Sequence, residues 1–274
     1  MSKPKGKCFF CLRTDLTKSH IWPEWAQKIV PSTVTQYEVR TGSFQTYVPN
    51  TNVENPSVMI KAGSVAARRP RNTCISCNGG WMRSIEEHAK PYIEALMAGN
   101  RVLLEPAHQY AVATFLCLVT TRIDASAKIA HPIPVSDHHH LIQNREPGPS
   151  WKIWIMRFID GDGSDYWYNQ FPMAMKAFPR EMLETLSPQQ LSARPEDSNT
   201  QVTTIVVGRL CAHLFSTTVY DDFTGYVEPA MTQVWPINGM TIDTRWLPEI
   251  GAEDVHWLHE AIGRDRNPPD FRKK

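Results

Sequence analysis

The clearest periodic pattern of apolar positions begins just after residue 80 and predicts a helix from Trp81 to Met97. Apolar residues recur there at spacings of three and four, on one helical face: Met82, Ile85, Ala89, Ile93 and Leu96. Pro91 falls inside this stretch, and we expect it to kink or split the helix because proline removes a backbone donor. Gly99-Asn100 is predicted to end it.

Three further helices are predicted. Residues 107–124 are apolar nearly all round, which is typical of a buried helix. A short helix from Trp25 to Val30 follows Pro23, a residue that suits a first helical turn. Glu253 to Ile262 is expected to form a closing helix.

Runs of β-branched and aromatic residues predict strands. We expect a hairpin within 37–49, a strand near Val58 to Lys61, and further strands at 151–159, 166–173, 201–207, 212–219 and 232–236. Strand 151–159 is expected to pair with 166–173 across the turn 160–165. Strand 201–207 is expected to pair with 212–219 around Gly208-Arg209.

This order of elements indicates an α+β fold. We divide it into an N-terminal module, residues 1–104, and a second region, residues 105–274, which contains a helical segment and an antiparallel β-sheet.

Composition narrows the class of protein. The chain has 274 residues, of which 42 % are hydrophobic, enough for a sizeable core. It has no apolar run of about 18 residues, so no transmembrane helix and no membrane partner are predicted. The basic N-terminus has no apolar segment behind it, so we expect no secretory signal and a cytoplasmic location. Cys117 and Cys211 are expected to be buried packing residues.

Charge is unevenly distributed, although the net charge is only +1. Residues 1–90 contain 13 Lys and Arg against 6 Asp and Glu, whereas the remainder contains 16 against 22. A positive N-terminal surface would attract nucleic acid, whose phosphates dominate its affinity for proteins. Arg68, Arg69 and Arg71 are therefore the candidate nucleic-acid-binding residues. Charge alone equally allows a solvated basic surface.

Two Cys-x-x-Cys pairs, Cys8 with Cys11 and Cys74 with Cys77, bracket this basic stretch. Four thiolates in two closely spaced pairs suit a tetrahedral structural Zn²⁺. Because no secretory signal is predicted, metal binding is favoured over disulfides. Four ordinary buried thiols are the alternative.

Two residues beside these pairs are candidates for catalysis. His20 follows the first pair, and an imidazole with a pKa of about 6.5 can take a proton from water. Asn78 follows the second pair directly, and its amide oxygen suits a catalytic Mg²⁺ or Mn²⁺. A packed histidine and a helix N-cap are the respective structural alternatives.

The motifs Cys8-x-x-Cys11, Ser19-His20-Ile21-Trp22-Pro23 and Cys74-x-x-Cys77-Asn78 resemble the cysteine-stapled type of HNH, or ββα-metal, proteins. More narrowly, the chain resembles a group of bacterial and phage proteins of similar length. The resemblance implies two strands and a helix that clasp a catalytic metal, with zinc as a staple.

The chain departs from that family at Ser19, where many active members carry Asp or Glu as a metal ligand. A serine hydroxyl is a poor Mg²⁺ ligand. Candidate replacements are His20 itself, Glu24, Glu86, Glu87 and His88. We select Glu86 as the third catalytic residue, beside His20 and Asn78.

The sequence thus predicts an HNH-type endonuclease that hydrolyses phosphodiester bonds in nucleic acid, with double-stranded DNA as the expected substrate. It would carry a structural Zn²⁺ and a catalytic Mg²⁺ or Mn²⁺. The alternative prediction, favoured by Ser19, is a catalytically inactive, zinc-stapled module that binds DNA or protein.

Overall fold

The computed structural model describes residues 6–31, 36–41, 57–62, 68–126, 133–161, 167–169, 173–175, 199–219 and 231–261, with residues 182, 185 and 187. Within these ranges the fold is mixed α+β, as predicted, and the strands pair antiparallel except where the strand Glu249–Ile250 meets the strand Trp151–Phe158. No helix in the described ranges is long and apolar enough to cross a membrane.

The elements before residue 75 are β1 (Leu16–Thr17), α1 (Glu24–Ile29), β2 (Gln36–Thr41), β3 (Ser57–Ala62) and β4 (Thr73–Cys74). The short helix and the strand near residue 58 are confirmed. Strand β1 pairs with β4, and β2 pairs with β3. The hairpin predicted within 37–49 includes residues 42–49, which lie outside the described part.

The helix predicted after residue 80 is confirmed, but it begins irregularly. Helix α2 (Ile75–Cys77) continues through a π-helical turn, Asn78–Met82, into α3 (Arg83–Ala98). The backbone breaks at Gly80 (φ −98°, ψ −112°), whereas α3 runs unbroken through Pro91. Of the expected kink or split at Pro91, the split does not occur, because Pro91 and Glu87 are exposed and water can satisfy the Glu87 carbonyl that loses its donor.

Strand β5 (Leu103–Leu104), α4 (Pro106–Asp124) and α5 (Val135–Asn144) follow. Helix α4 is the predicted apolar helix, and nearly all of it after its first turn is buried. It packs against α3, α5 and the sheet described next. It therefore forms the centre of the molecule.

The second half contributes β6 (Trp151–Phe158), β7 (Trp167–Asn169), β8 (Met173–Met175), β9 (Thr200–Val207), β10 (Leu210–Thr217), β11 (Thr232–Trp235), β12 (Ile242–Asp243), β13 (Glu249–Ile250) and α6 (Ala252–Ala261). The main sheet has the order β11-β6-β10-β9-β7, with β8 also on β9 and β13 on β6. Strand β12 pairs with β5.

The predicted β9–β10 hairpin is confirmed. The predicted pairing of 151–159 with 166–173 is wrong, since β7 pairs with β9. A strand has only two edges, and those of β6 are taken by β10 on one side and by β11 and β13 on the other.

The sheet is covered on both faces. Ile153 and Ile155 of β6 point into a large core that also contains the N-terminal cysteines and α4. Trp154 and Met156 point into a smaller core with residues of α6. Cys117 and Cys211 are buried, as predicted. The large core combines side chains from both sides of residue 104, where we place the boundary between the two regions.

The β9–β10 turn joins the sheet to the end of α3. The Arg209 N–H donates to the Met97 carbonyl at 2.8 Å. Gly208 has a φ of +57°, and a Cβ there would lie 2.5 Å from that same oxygen. Glycine is needed both for the left-handed conformation and for the close approach.

Candidate functional site

The four predicted metal ligands come together as one cluster. The Sγ atoms of Cys8, Cys11, Cys74 and Cys77 all lie within 4.8 Å of one another. Those of Cys11 and Cys74 are 3.4 Å apart, and none of the four is in a disulfide. The four cysteines therefore lie close enough to hold one metal ion.

Each pair sits on a tight turn. In the first turn, the Leu12 N–H donates to the Cys8 carbonyl, and the Cys8 N–H donates to that of Arg13. In the second turn, Cys74 caps α2, and its sulfur accepts from the Cys77 N–H at 3.4 Å. A helix N-terminus favours a thiolate over a thiol, so this turn suits a metal ligand.

Burial shapes the electrostatics of the cluster. It raises the pKa of the Cys77 thiol well above its ordinary value, and Cys8 and Cys74 are fully buried as well. Four adjacent thiolates in such surroundings repel one another and lack hydration. A cation between the sulfurs would offset both effects.

An aromatic and cationic shell surrounds the second pair. The rings of Phe10 and Trp81 meet edge to face at 5.7 Å, and the Arg145 guanidinium carbon lies 4.7 Å from the centre of the Trp81 ring. Arg145 is also close enough to Cys77 to interact with its charge. This cation would reduce the net negative charge of a metal bound by four thiolates.

The β1–β4 pairing extends to His20. The Ser19 N–H donates to the Pro70 carbonyl and the Ile21 N–H to that of Arg68, each at 3.2 Å. Residues 16–21 thus run antiparallel to 68–74 as one ribbon, and the α2–α3 helical stretch follows directly. His20 consequently lies beside the basic loop 68–71.

His20 is largely enclosed, with 15 % of its side chain exposed. Its Nδ1 lies 3.7 Å from the Glu24 carboxylate. Its Nε2 is buried and has no hydrogen-bond partner among the described residues. Burial first, and the charge of Arg69 next, lower the pKa of His20, against opposing effects of Glu24 and Glu86. The imidazole is therefore neutral at neutral pH and can accept a proton.

Glu86 is committed to an ion pair. Its Oε1 lies 2.5 Å from Nη1 of Arg122 on α4, and the Arg122 side chain is only 3 % exposed. The same Nη1 lies 3.5 Å from the Ile21 carbonyl. Arg122 thus connects α3 and α4 to the segment that carries His20.

The three predicted arginines lie in different environments. Arg68 is half-buried and donates to Ser126 Oγ at 3.2 Å. Arg71 is exposed, and its Nε lies 3.4 Å from the Leu16 carbonyl. Arg69 is exposed and acts on His20 through its charge. Arg69 and Arg71 are therefore the two available to a polyanion.

Asn78 precedes Glu86 by eight residues, and the backbone break at Gly80 lies between them. It does not cap the helix, because Cys74 does. No side-chain hydrogen bond joins Asn78 to His20 or to another residue in the described ranges. The structure thus brings His20, Glu86 and Arg69 together and leaves Asn78 near the cysteines.

The sequence alone did not identify Arg122 as part of this site. Its only signal is a single cation near the end of an otherwise apolar helix. A buried charge requires a partner, but the sequence does not indicate which of several acidic residues provides it.

Comparison of the chain with protein-family models, with curated proteins and with solved structures finds no match. The resemblance to HNH proteins therefore stays a prediction, and function is inferred from the site itself.

Proposed function

We propose that this protein is a metal-dependent endonuclease of HNH type that hydrolyses phosphodiester bonds in nucleic acid, with DNA as the expected substrate. The observation that carries the proposal is the setting of His20, an enclosed imidazole with a lowered pKa. It lies on an antiparallel ribbon beside an arginine-rich loop, directly ahead of a long helix. The paired strands β1 and β4 and the helical stretch after β4 are the elements that a ββα-metal module would use, with α1, β2 and β3 inserted between the two strands.

We infer that the cysteine cluster holds zinc. Tetrahedral Zn–S bonds of about 2.3 Å place the sulfurs about 3.8 Å apart, a value between the 3.4 Å of Cys11 and Cys74 and the 4.8 Å limit of the cluster. Four sulfur donors favour Zn²⁺ over Mg²⁺. Four protein ligands leave no open coordination position, so this zinc is structural.

His20 serves as the general base. Because Nε2 is closed off from solvent, the proton from the attacking water is accepted at Nδ1. The Glu24 carboxylate, 3.7 Å away, stabilises the imidazolium that forms. The Glu86–Arg122 pair holds the His20 segment in place.

A divalent ion, when bound, would neutralise charge on the phosphate and on the leaving oxygen. Asn78, which lies next to the cysteine cluster and before the break at Gly80, would supply an amide oxygen for this ion. The Oε1 of Glu86 is paired with Arg122, which leaves its second carboxylate oxygen as a further ligand for this ion. Glu24, whose side chain is 69 % exposed, is the carboxylate that replaces the acidic residue missing at Ser19.

Supercoiled plasmid tests catalysis. We expect the wild type to nick it with Mg²⁺ or Mn²⁺, and His20→Ala to lower the rate by about 100- to 10,000-fold with unchanged zinc content. His139→Ala is the matched control, because His139 is exposed on α5. A wild type that is inert with both ions, or an His20→Ala variant of normal rate, would contradict the proposal.

Binding tests the substrate class. Affinity for duplex DNA should fall with salt, and Arg69→Ala with Arg71→Ala should reduce the slope of log K against log salt by about 2. Arg68 is left unchanged because it also bonds Ser126. Affinity that does not depend on salt would argue against nucleic acid.

A zinc-stapled module that binds nucleic acid without cleaving it is the second candidate. Ser19, a buried hydroxyl in place of a carboxylate, favours it. Salt-dependent binding by a wild type that does not nick plasmid would select this candidate.

A further inference from the structure

An exposed tryptophan lies at the end of the molecule where α3 terminates. Trp246 has 79 % of its surface exposed, the most among the large apolar residues of the described ranges. It is the last residue of a short 3₁₀ turn, Thr244–Trp246. An indole that is exposed on a fixed turn is available to a partner.

This turn is held rigidly. The Thr244 N–H donates to the Val102 carbonyl at 3.1 Å, and the Val102 N–H donates to Thr244 Oγ1 at 2.9 Å. Arg157 donates to the Thr244 carbonyl at 3.1 Å. The backbone that carries Trp246 is thus anchored to Val102, next to β5, and to β6.

Two arginines bind the acidic residue that caps this turn. Arg101 and Arg245 bond the same carboxylate, that of Asp243, at 3.0 and 2.8 Å. The Arg245 guanidinium carbon lies 5.8 Å from the centre of the Trp246 ring. One acid therefore serves two cations, which leaves a positive charge next to the indole.

A depression of about 390 Å³ lies beyond Arg157, between the end of α3 and the β9–β10 turn. Arg157 and Arg209 line it, together with Glu249. Neither arginine has a carboxylate within 4.0 Å among the described residues, and their hydrogen bonds go to backbone carbonyls. Each guanidinium keeps further N–H donors for an anion.

The surface is positive although residues 91–274 carry only 16 Lys and Arg against 22 Asp and Glu. Its four arginines face two acids, Asp243 and Glu249. Asp160, next to the depression-lining Ile159, accepts from the Ala252 N–H at the start of α6. The local charge thus favours an anionic partner, and the exposed indole favours one with flat, apolar groups.

We propose that this surface binds single-stranded nucleic acid, with a base stacked on Trp246 and a phosphate in the depression between Arg157 and Arg209. Bases stack on aromatic side chains regardless of sequence, and guanidinium groups pair with phosphate oxygens. The inference deepens the proposed function, since it rests on nucleic acid being the substrate. It places a second contact about 20 Å from Glu86, at 1.5 Å per residue along α3.

The test is fluorescence anisotropy with a labelled oligothymidylate of about 15 nucleotides and no added divalent ion. Trp246→Ala should weaken binding roughly 5- to 150-fold, and Trp246→Phe should retain most of it. Val135→Ala is the matched control, because Val135 is 68 % exposed on α5. Arg157→Gln should reduce the salt slope by about 0.7.

Three results would overturn the inference: a wild type that does not bind the oligonucleotide, a Trp246→Ala variant of unchanged affinity, or a wild-type dimer that Trp246→Ala converts to a monomer. The last would assign the surface to a second copy of the chain. The nicking assay is independent of these results. Loss of nicking with intact Trp246-dependent binding would refute only the catalytic proposal.

Discussion

At the scale of single residues, the state of His20 follows from its neighbours. Burial and the arginines at positions 69 and 122 disfavour the imidazolium, whereas Glu24 and Glu86 favour it. The balance lowers the pKa of His20 and keeps the ring neutral. A histidine can act as a general base only when its ring is unprotonated, because a protonated ring cannot accept a proton.

We expect the nicking rate to rise with pH up to an inflection below about pH 6.5 and then to level off, because the base must be deprotonated. Glu24→Gln should move the inflection to lower pH, since Glu24 raises the pKa of His20, and should also lower the maximal rate, because Glu24 is a proposed ligand of the divalent ion. A pH–rate profile of both proteins measures this. An inflection above about pH 7, or one that Glu24→Gln does not move, would assign the titration to another group.

The same shift affects stability. The unfolded chain protonates His20 at its ordinary pKa, and the folded chain does so only at lower pH, so this stabilisation is present above about pH 6.5 and is lost as the pH falls. We expect the free energy of unfolding of the wild type, relative to His20→Gln, to fall between about pH 7.5 and 5.5. Urea titrations at both pH values measure it, and a constant difference would contradict the lowered pKa.

Ser19 is buried beside His20. A carboxylate there is costly without a cation, so Ser19→Asp should lower the Tm when no divalent ion is added. Mn²⁺ should then raise the Tm of this variant more than that of the wild type. Ser19→Asn is the neutral control in the same thermal-shift assay. Equal Mn²⁺ shifts would show that residue 19 does not face the ion.

At the scale of elements, Arg122 and Glu86 connect helices α3 and α4 to the ribbon that carries His20. Arg122 is buried, and its Nε has no hydrogen-bond partner among the described residues. The ion pair is therefore the main compensation for placing this charge in the core. The position of His20 depends on a contact between distant elements as well as on its own turn.

Glu86→Gln should destabilise the protein by on the order of 3 kcal/mol, because it leaves Arg122 as an unpaired buried charge. Glu86→Gln with Arg122→Met should recover part of the loss. Glu87→Gln is the matched control, since Glu87 pairs with Arg83 on the exposed face of the same helix and should cost at most about 1 kcal/mol. Urea unfolding measures all three, and equal effects of the two single changes would refute this role of the pair.

At the scale of the whole molecule, the cysteine cluster and the sheet share one core. Cys8 and Cys74 belong to the same group of buried side chains as Leu116 of α4 and Ile155 of β6. Metal binding contributes directly to folding free energy. Because the core is continuous, that contribution is expected to reach the sheet as well as the two cysteine turns.

We expect one zinc per chain and a fall in the temperature of the main unfolding transition when a strong chelator removes it. Cys11→Ala should lose the zinc, whereas Cys117→Ala, at a buried cysteine outside the cluster, should keep it. Elemental analysis and calorimetry measure both effects. Folded wild type without zinc, or a transition that chelation does not shift, would contradict the prediction.

The sequence by itself determined the features that short segments encode. The spacing of two Cys-x-x-Cys pairs identified all four members of the cluster. A periodicity of three to four predicted α3, a stretch that is apolar nearly all round predicted α4, and the turn at Gly208-Arg209 predicted the β9–β10 hairpin. Local backbone geometry dictates each of these patterns, so each one can be recognised within a short segment of the chain.

Only the tertiary structure decided which distant groups meet. It paired β6 with β10 and β11 rather than with the next strand in the chain, and it joined Glu86 to Arg122. It also enclosed His20 and left Trp246 exposed. A periodic pattern shows that a residue must be buried or paired but carries no information about its partner. The packing of whole elements selects the partner, because each strand edge can pair with only one neighbouring strand at a given position, and each buried charge needs an oppositely charged group beside it.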